Sequence, residues 1–161
     1  MTDLLVRLYD LPEFEAEAKV KAAGIVVRRA LAPERQIVLD WVAAHFSAGW
    51  RSECVVAFGH LPVTIWIAVK DGEMLGFACH DATAKGFFGP TGVDEAARGQ
   101  GIGEALLIAT LKGMREAGYA YAVIGGVGPI AFYRRRLEVF EIPGSTPGIY
   151  GGMLRQKPKS E

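Results

Sequence analysis

Arg98, Gly99, Gly101 and Gly103 hold the chemistry most readily read from this chain. They stand in the run Val93-Asp94-Glu95-Ala96-Ala97-Arg98-Gly99-Gln100-Gly101-Ile102-Gly103-Glu104-Ala105-Leu106-Leu107. That run reads as a strand end, a short basic glycine loop and the opening of an amphipathic helix. Alternating glycines let the backbone turn sharply and leave no Cβ in the way of a ligand. A helix start has unpaired N–H groups and a partial positive charge, so it attracts anions, phosphate above all. Arg98 adds a full positive charge at the same place. The spacing is not the dinucleotide pattern Gly-x-Gly-x-x-Gly, because the third glycine comes one residue too soon. It is not a phosphate loop of the Gly-Lys-Ser/Thr kind either. On its own the run also fits a strand-to-helix turn with no ligand.

Several elements must position that loop. Leu4 to Tyr9 reads as a first strand, and Glu13 to Ala23 as a surface helix entered through Pro12 and closed by Gly24. Ile25 to Arg29 reads as a second strand. Pro33 opens a helix with Ile37, Val38, Trp41, Val42 and His45 on one stripe, which makes His45 a packed residue. Ser52 is the expected cap of a short helix ending near Phe58. Val63 to Val69 and Leu75 to Asp81 form a hairpin about Asp71-Gly72. Phe87 to Val93 is the strand leading into the loop, and Gly89, Pro90 and Gly92 inside it mark a bulge or a close approach by a ligand. The helix after the loop runs to about Ala117, with Leu107, Leu111 and Met114 on one face. Tyr119 to Ile124 is a strand and Ile130 to Arg136 a short helix. Glu138 to Ile142 and Ile149 to Leu154 are expected as a closing pair of strands.

With 161 residues, half of them apolar and 22% charged, the chain is expected to be one soluble globular domain, residues 1–161, with a loose polar tail over 155–161. A formal net charge of +0 speaks against nucleic acid or an anionic membrane as partner. Cys54 and Cys79 sit in apolar stretches without metal-ligand spacing, so no metal site is expected. They read as reduced thiols, which fits a cytoplasmic location. Neither a signal peptide nor a membrane span is expected.

The run Arg98 to Gly103 resembles the acetyl-coenzyme A loop of the GCN5-related N-acetyltransferases (GNAT), Gln/Arg-x-x-Gly-x-Gly/Ala; Arg98, Gly101 and Gly103 fit that pattern. The order of elements over residues 25 to 154 is also similar to that family. The phrases Gly86-Phe87-Phe88-Gly89-Pro90-Thr91-Gly92 and Pro147-Gly148-Ile149-Tyr150 resemble one bacterial subgroup without a settled substrate. The resemblance implies an α/β (α+β) fold. Its centre would be a mixed, mostly antiparallel, twisted sheet flanked by helices, with residues 1–24 as an added N-terminal strand and helix. It implies acetyl-CoA as co-substrate, with Arg98, Gly99, Gln100, Gly101, Ile102, Gly103 and Glu104 at the pyrophosphate. Thr91 and Val93 would lie along the pantetheine arm, and Phe132 near it. Tyr133 matches the tyrosine that protonates the departing thiolate in many members. One departure stands out: Gly126 occupies a position where many relatives have an asparagine that contacts the cofactor.

The expected reaction is acetyl transfer to a primary amine of a small molecule or peptide by direct attack on the thioester. Proximity, oxyanion donors and a general acid supply the rate. Glu53, His80 and Asp81 are candidates for the base by position alone, and water serves equally; neighbours on a strand, His80 and Asp81 would face opposite sides. Phe87, Phe88, Trp50 and Tyr150 could line an aromatic acceptor pocket or simply pack. A homodimer is the family's habit. Two other readings compete: an acyl-CoA-binding sensor without catalysis, which the Gly126 departure favours and Tyr133 opposes, and a nucleotide-binding regulatory protein using the same loop.

Overall fold

The computed structural model describes residues 1–160. Seven strands form one sheet in the order β2-β3-β4-β5-β6-β1-β7. They are β1 (Leu4–Arg7), β2 (Val26–Arg29), β3 (Ile65–Lys70), β4 (Glu73–His80), β5 (Phe87–Val93), β6 (Tyr121–Ile124) and β7 (Val139–Glu141). Every pairing is antiparallel except β5 with β6. The helices are α1 (Ala16–Ala22), α2 (Arg35–His45), α3 (Ala48–Phe58), α4 (Ile102–Glu116) and α5 (Ile130–Arg134).

The β3–β4 turn follows from its residues: Asp71 at φ 51° and Gly72 at φ 77° give the two left-handed positions that a tight hairpin needs. β3 reads as an almost unbroken apolar run because helices cover both its faces. On one face α4 lays Leu106, Leu107 and Leu111 over Trp66, Ala68 and Ala78. On the other, α2 and α3 pack Val38, Val42 and Cys54 over Ile65, Ile67 and Phe77. α1 rests on α4 through Ala16 and Val20 and by the ion pair of Glu17 with Lys112 at 2.9 Å. The expected bulge is present: the β4–β5 register shifts between Ala78 and His80, opposite Gly89 and Pro90.

Two local expectations change. Ser47, not Ser52, caps α3: its extended backbone lets its oxygen accept the Trp50 N–H at 3.1 Å, one turn earlier than expected. Residues 149–154 form no strand. Gly148–Tyr150 is a single tight turn, and Gly152 at φ 74° is in the left-handed region, outside strand geometry. The position beside β6 that a closing strand would need is filled by β1, which pairs with β6 on one side and β7 on the other. The N-terminal strand therefore lies inside the sheet.

One feature of the sheet positions the site. β5 and β6 pair only at Phe87 with Val123 and Phe88 with Ile124. β5 continues to Val93 without a partner on that side, and the gap opens between the Phe88–Val93 stretch and α5.

Candidate functional site

A cavity of about 1040 Å³ occupies that gap. Phe88, Thr91 and Val93 of β5 form one wall, and Phe132 and Tyr133 of α5 the other. The glycine loop closes one end with Arg98, Gly99, Gly101, Ile102, Gly103 and Glu104. Ten of the eleven residues singled out from the sequence thus line one space. Gln100 does not: its side chain turns back and donates to the Ala97 carbonyl at 3.2 Å.

The loop geometry follows from its glycines. Gly101, at φ 81°, is the residue immediately before α4. It has no side chain to cap the helix, so the first N–H groups of α4 are left toward the cavity. A Cβ on Gly103 would stand 3.7 Å from both the Phe132 ring and the Val93 side chain, within the cavity itself. Glycine there keeps the first turn of α4 open to an anion.

An acid at a helix start disfavours an anionic ligand, yet Glu104 lies in this wall. Its charge is compensated by Arg136, whose Nε donates to the Glu104 carboxylate at 2.5 Å. The same guanidinium donates to the Phe132 carbonyl at 2.7 Å and lies 3.9 Å from the Phe132 ring centroid. Arg136 thus fixes both Glu104 and Phe132. Sequence reasoning missed it because nothing in Arg134-Arg135-Arg136 distinguishes one arginine from the others. Arg134 instead pairs with Glu141 at 3.0 Å. Also missed were Glu15, just before α1, and Ala16 and Lys19 of α1, which complete the wall beside Gly101.

Tyr133 is 6% exposed, with its ring edge-on to Phe132 at 5.1 Å and to Phe88 at 6.4 Å. Burial pushes its phenol up to about 12. Its hydroxyl has no hydrogen-bond partner among the described residues, and it is not among the fully enclosed unpaired polar atoms. It is a protonated donor at neutral pH, held at the cavity wall.

The three candidate bases separate. Asp81 adopts φ 52°, which breaks strand alternation and lets its carboxylate accept from Nδ1 of neighbouring His80 at 2.6 Å. The two side chains therefore meet, contrary to the alternation expected of strand neighbours. Burial raises the Asp81 carboxyl, but hydrogen bonds from Gly86, Tyr119 and His80 outweigh it and leave the pKa lowered. Burial lowers that of His80. Neither lines the cavity, and the pair ties β4 to the loop ahead of β5. Glu53 lies on α3, where its carboxylate accepts from the Thr83 hydroxyl.

The four aromatics do not form one pocket. Phe87 and Tyr150 meet beside Gly125, while Phe88 faces the cavity with Tyr133. Trp50 packs against Phe46, ring centroids 4.9 Å apart and planes tilted by 31°. His45 stacks on Trp41, ring centroids 4.0 Å apart, yet is exposed, as is Ile37 on the same stripe. At Gly126 a Cβ would lie 3.2 Å from the Tyr150 ring, so the family's asparagine would need that ring to shift by a few tenths of an ångström. The Gly126 N–H donates to Asp3 at 2.8 Å.

Among the described residues there is no cluster of metal-ligating side chains and no helix long and apolar enough to cross a membrane.

The sequence pattern of the acetyltransferase (GNAT) family matches residues 35–137. No curated protein matches the chain. Among solved structures, a GCN5-related glucosamine N-acetyltransferase region of a fungal multi-domain GH3 β-N-acetylglucosaminidase superposes with a TM-score of 0.72 at 15% identity, covering 87% of this chain and 20% of that one. A GCN5-related N-acetyltransferase from Sphaerobacter thermophilus gives 0.65 at 22% identity, covering 87% and 48%. A GNAT family acetyltransferase from Brucella melitensis, solved in complex with acetyl-CoA, gives 0.52 at 23% identity, covering 69% and 80%. The chain spans half or less of the length of the first two.

Proposed function

Because the chain belongs to the GNAT acetyltransferase family, we propose that it transfers acetyl from acetyl-CoA to a primary amine, with a small molecule as acceptor and Tyr133 as general acid. The observation that carries this reading is the Tyr133 hydroxyl, protonated, without a protein partner and set at the wall of the cavity that the glycine loop closes. Acetyl-CoA is the co-substrate. The residues present suit it: a helix start kept open by Gly101 and Gly103 for the pyrophosphate, Arg98 beside it, and unpaired β5 backbone from Thr91 to Val93 for the pantetheine arm.

In the reaction a neutral amine attacks the thioester carbonyl carbon. The C–N bond forms, the C–S bond breaks, and the departing thiolate takes its proton from Tyr133. None of Glu53, His80 and Asp81 lines the cavity, so the amine's proton leaves to water. Aligning the two reactants and donors to the developing oxyanion supply much of the rate, and the tyrosine adds about 10²–10⁴-fold.

Coenzyme A release with a reactive amine, compared in wild type and Tyr133→Phe alongside calorimetric binding of acetyl-CoA, tests this. Intact binding with a large loss of release in the variant supports the enzyme. Binding without turnover in wild type overturns it in favour of an acyl-CoA sensor, the reading that Gly126 favours. Binding of ATP or NAD with acetyl-CoA ignored would mean a nucleotide-binding regulator.

A further inference from the structure

We propose that Lys19, on the N-terminal helix α1, is a phosphate ligand for the nucleotide end of the thioester, so that α1 is a working wall of the cofactor site. This rests on the acetyl-CoA reading above.

Three observations converge on Lys19. First, it lines the cavity next to the glycine loop: its Cδ lies 3.6 Å from where a Cβ on Gly101 would be, and the ammonium lies beyond that carbon. Second, the backbone that presents it is fixed. Ala16, one turn earlier, packs 3.4 Å from the same point on Gly101; Ala16 and Val20 are buried; and Glu17 is tied to Lys112 of α4. A lysine on a helix packed in this way starts from a fixed Cα, and its flexible stem carries the charge over the loop. Third, the charges leave Lys19 available. The cavity wall holds three cations, Arg98, Arg136 and Lys19, and two acids, Glu15 and Glu104. Arg136 is engaged by Glu104. Neither Arg98 nor Lys19 forms an ion pair among the described residues.

Arg98 and Lys19 thus bring two uncompensated cations to a helix start that itself favours anions. Lysine acts as a mobile point charge, which suits a phosphate of either the pyrophosphate or the ribose. Glu15, the residue just before α1, adds a negative charge to the same cavity wall, so its neutralisation should tighten the site.

The test is calorimetry of coenzyme A, dephospho-coenzyme A and pantetheine against wild type, Lys19→Met, Lys19→Glu and Glu15→Gln. Lys21→Met is the control on the same helix, because Lys21 lines a separate groove. Thermal unfolding checks that each variant is folded. Lys19→Met should weaken coenzyme A about 5-fold, the upper range for one exposed ion pair. Lys19→Glu should weaken it further and Glu15→Gln should strengthen it, with pantetheine binding unchanged in all. A loss that persists with dephospho-coenzyme A assigns Lys19 to the pyrophosphate, and one that vanishes assigns it to the ribose phosphate. Equal affinity of wild type and both Lys19 variants for coenzyme A overturns the assignment while leaving the acetyltransferase reading intact. Absence of coenzyme A binding to wild type overturns both.

Discussion

Replacing Gly103 by alanine should separate stability from cofactor binding. Gly103 is the second residue of α4 and lies outside the positive-φ region, so a side chain meets no backbone strain. The added methyl would lie 3.7 Å from Phe132 and from Val93, an ordinary contact that displaces nothing. Alanine in place of glycine favours a helix by at most about 1 kcal/mol, less in the first turn, which raises Tm by up to roughly 2–4 °C in a chain of this size. The same methyl stands where the first turn of α4 would receive the pyrophosphate. Displacing one hydrogen bond to a charged oxygen, about 1.5–3 kcal/mol, weakens binding roughly 10- to 150-fold. Thermal unfolding and calorimetry with coenzyme A read the two effects. A contrasting variant, Gly101→Ala, should lose both, because a residue at φ 81° pays for its Cβ by about 1–2 kcal/mol. If Gly103→Ala is more stable and binds coenzyme A as tightly as wild type, the anion does not sit on the first turn of α4. If it is several degrees less stable, the packing around Gly103 has been misjudged.

Tyr133→Phe should lower kcat by about 10²–10⁴-fold while shifting Tm little, since the hydroxyl has no protein partner to lose; rapid-quench or coenzyme A release assays with thermal unfolding measure both. Arg136→Met should weaken coenzyme A roughly 5-fold by leaving Glu104 uncompensated in the cavity wall, and Glu104→Gln added to it should restore much of the affinity in a double-mutant cycle. The Arg28 hydrogen bonds hold the Glu34 carboxyl down to about 2 from 4.5, so the folded state keeps it ionised more readily than the unfolded one. The stability this pair contributes is therefore present above pH 4.5 and is lost as pH falls toward 2. Tm measured against pH should drop more steeply in that window for wild type than for Glu34→Gln.

The turns of the glycine loop were legible because each of its parts is local. Glycine at alternate positions, a basic residue before them and an amphipathic helix after them are properties of one contiguous run, and Gly99 and Gly101 do adopt the positive φ that glycine makes available. The β3–β4 turn and the bulge opposite Gly89 and Pro90 were legible for the same reason. The cap of α3 was misjudged by one turn because Ser47 and Ser52 both have the required hydroxyl. Only the backbone at Ser47, extended at φ −156°, decides which one accepts.

What the sequence determined on its own was the turn geometry of the glycine loop and the order of most elements, while Tyr133, which lines the cavity, was reached through the family resemblance. The loop's turns depend on residue type and spacing within a dozen positions. The tertiary structure alone decided which distant charges share the site. Glu104 meets Arg136 and Gly101 meets α1 because the sheet inserts β1 between β6 and β7 and α1 rests on α4. The expected closing strand is missing for that same reason: β1 already occupies the edge of β6 that it would need. Strand partnership is a competition between segments far apart in the chain, settled by which of them buries its apolar face. Leu4 and Val6, both buried within the main core, won it.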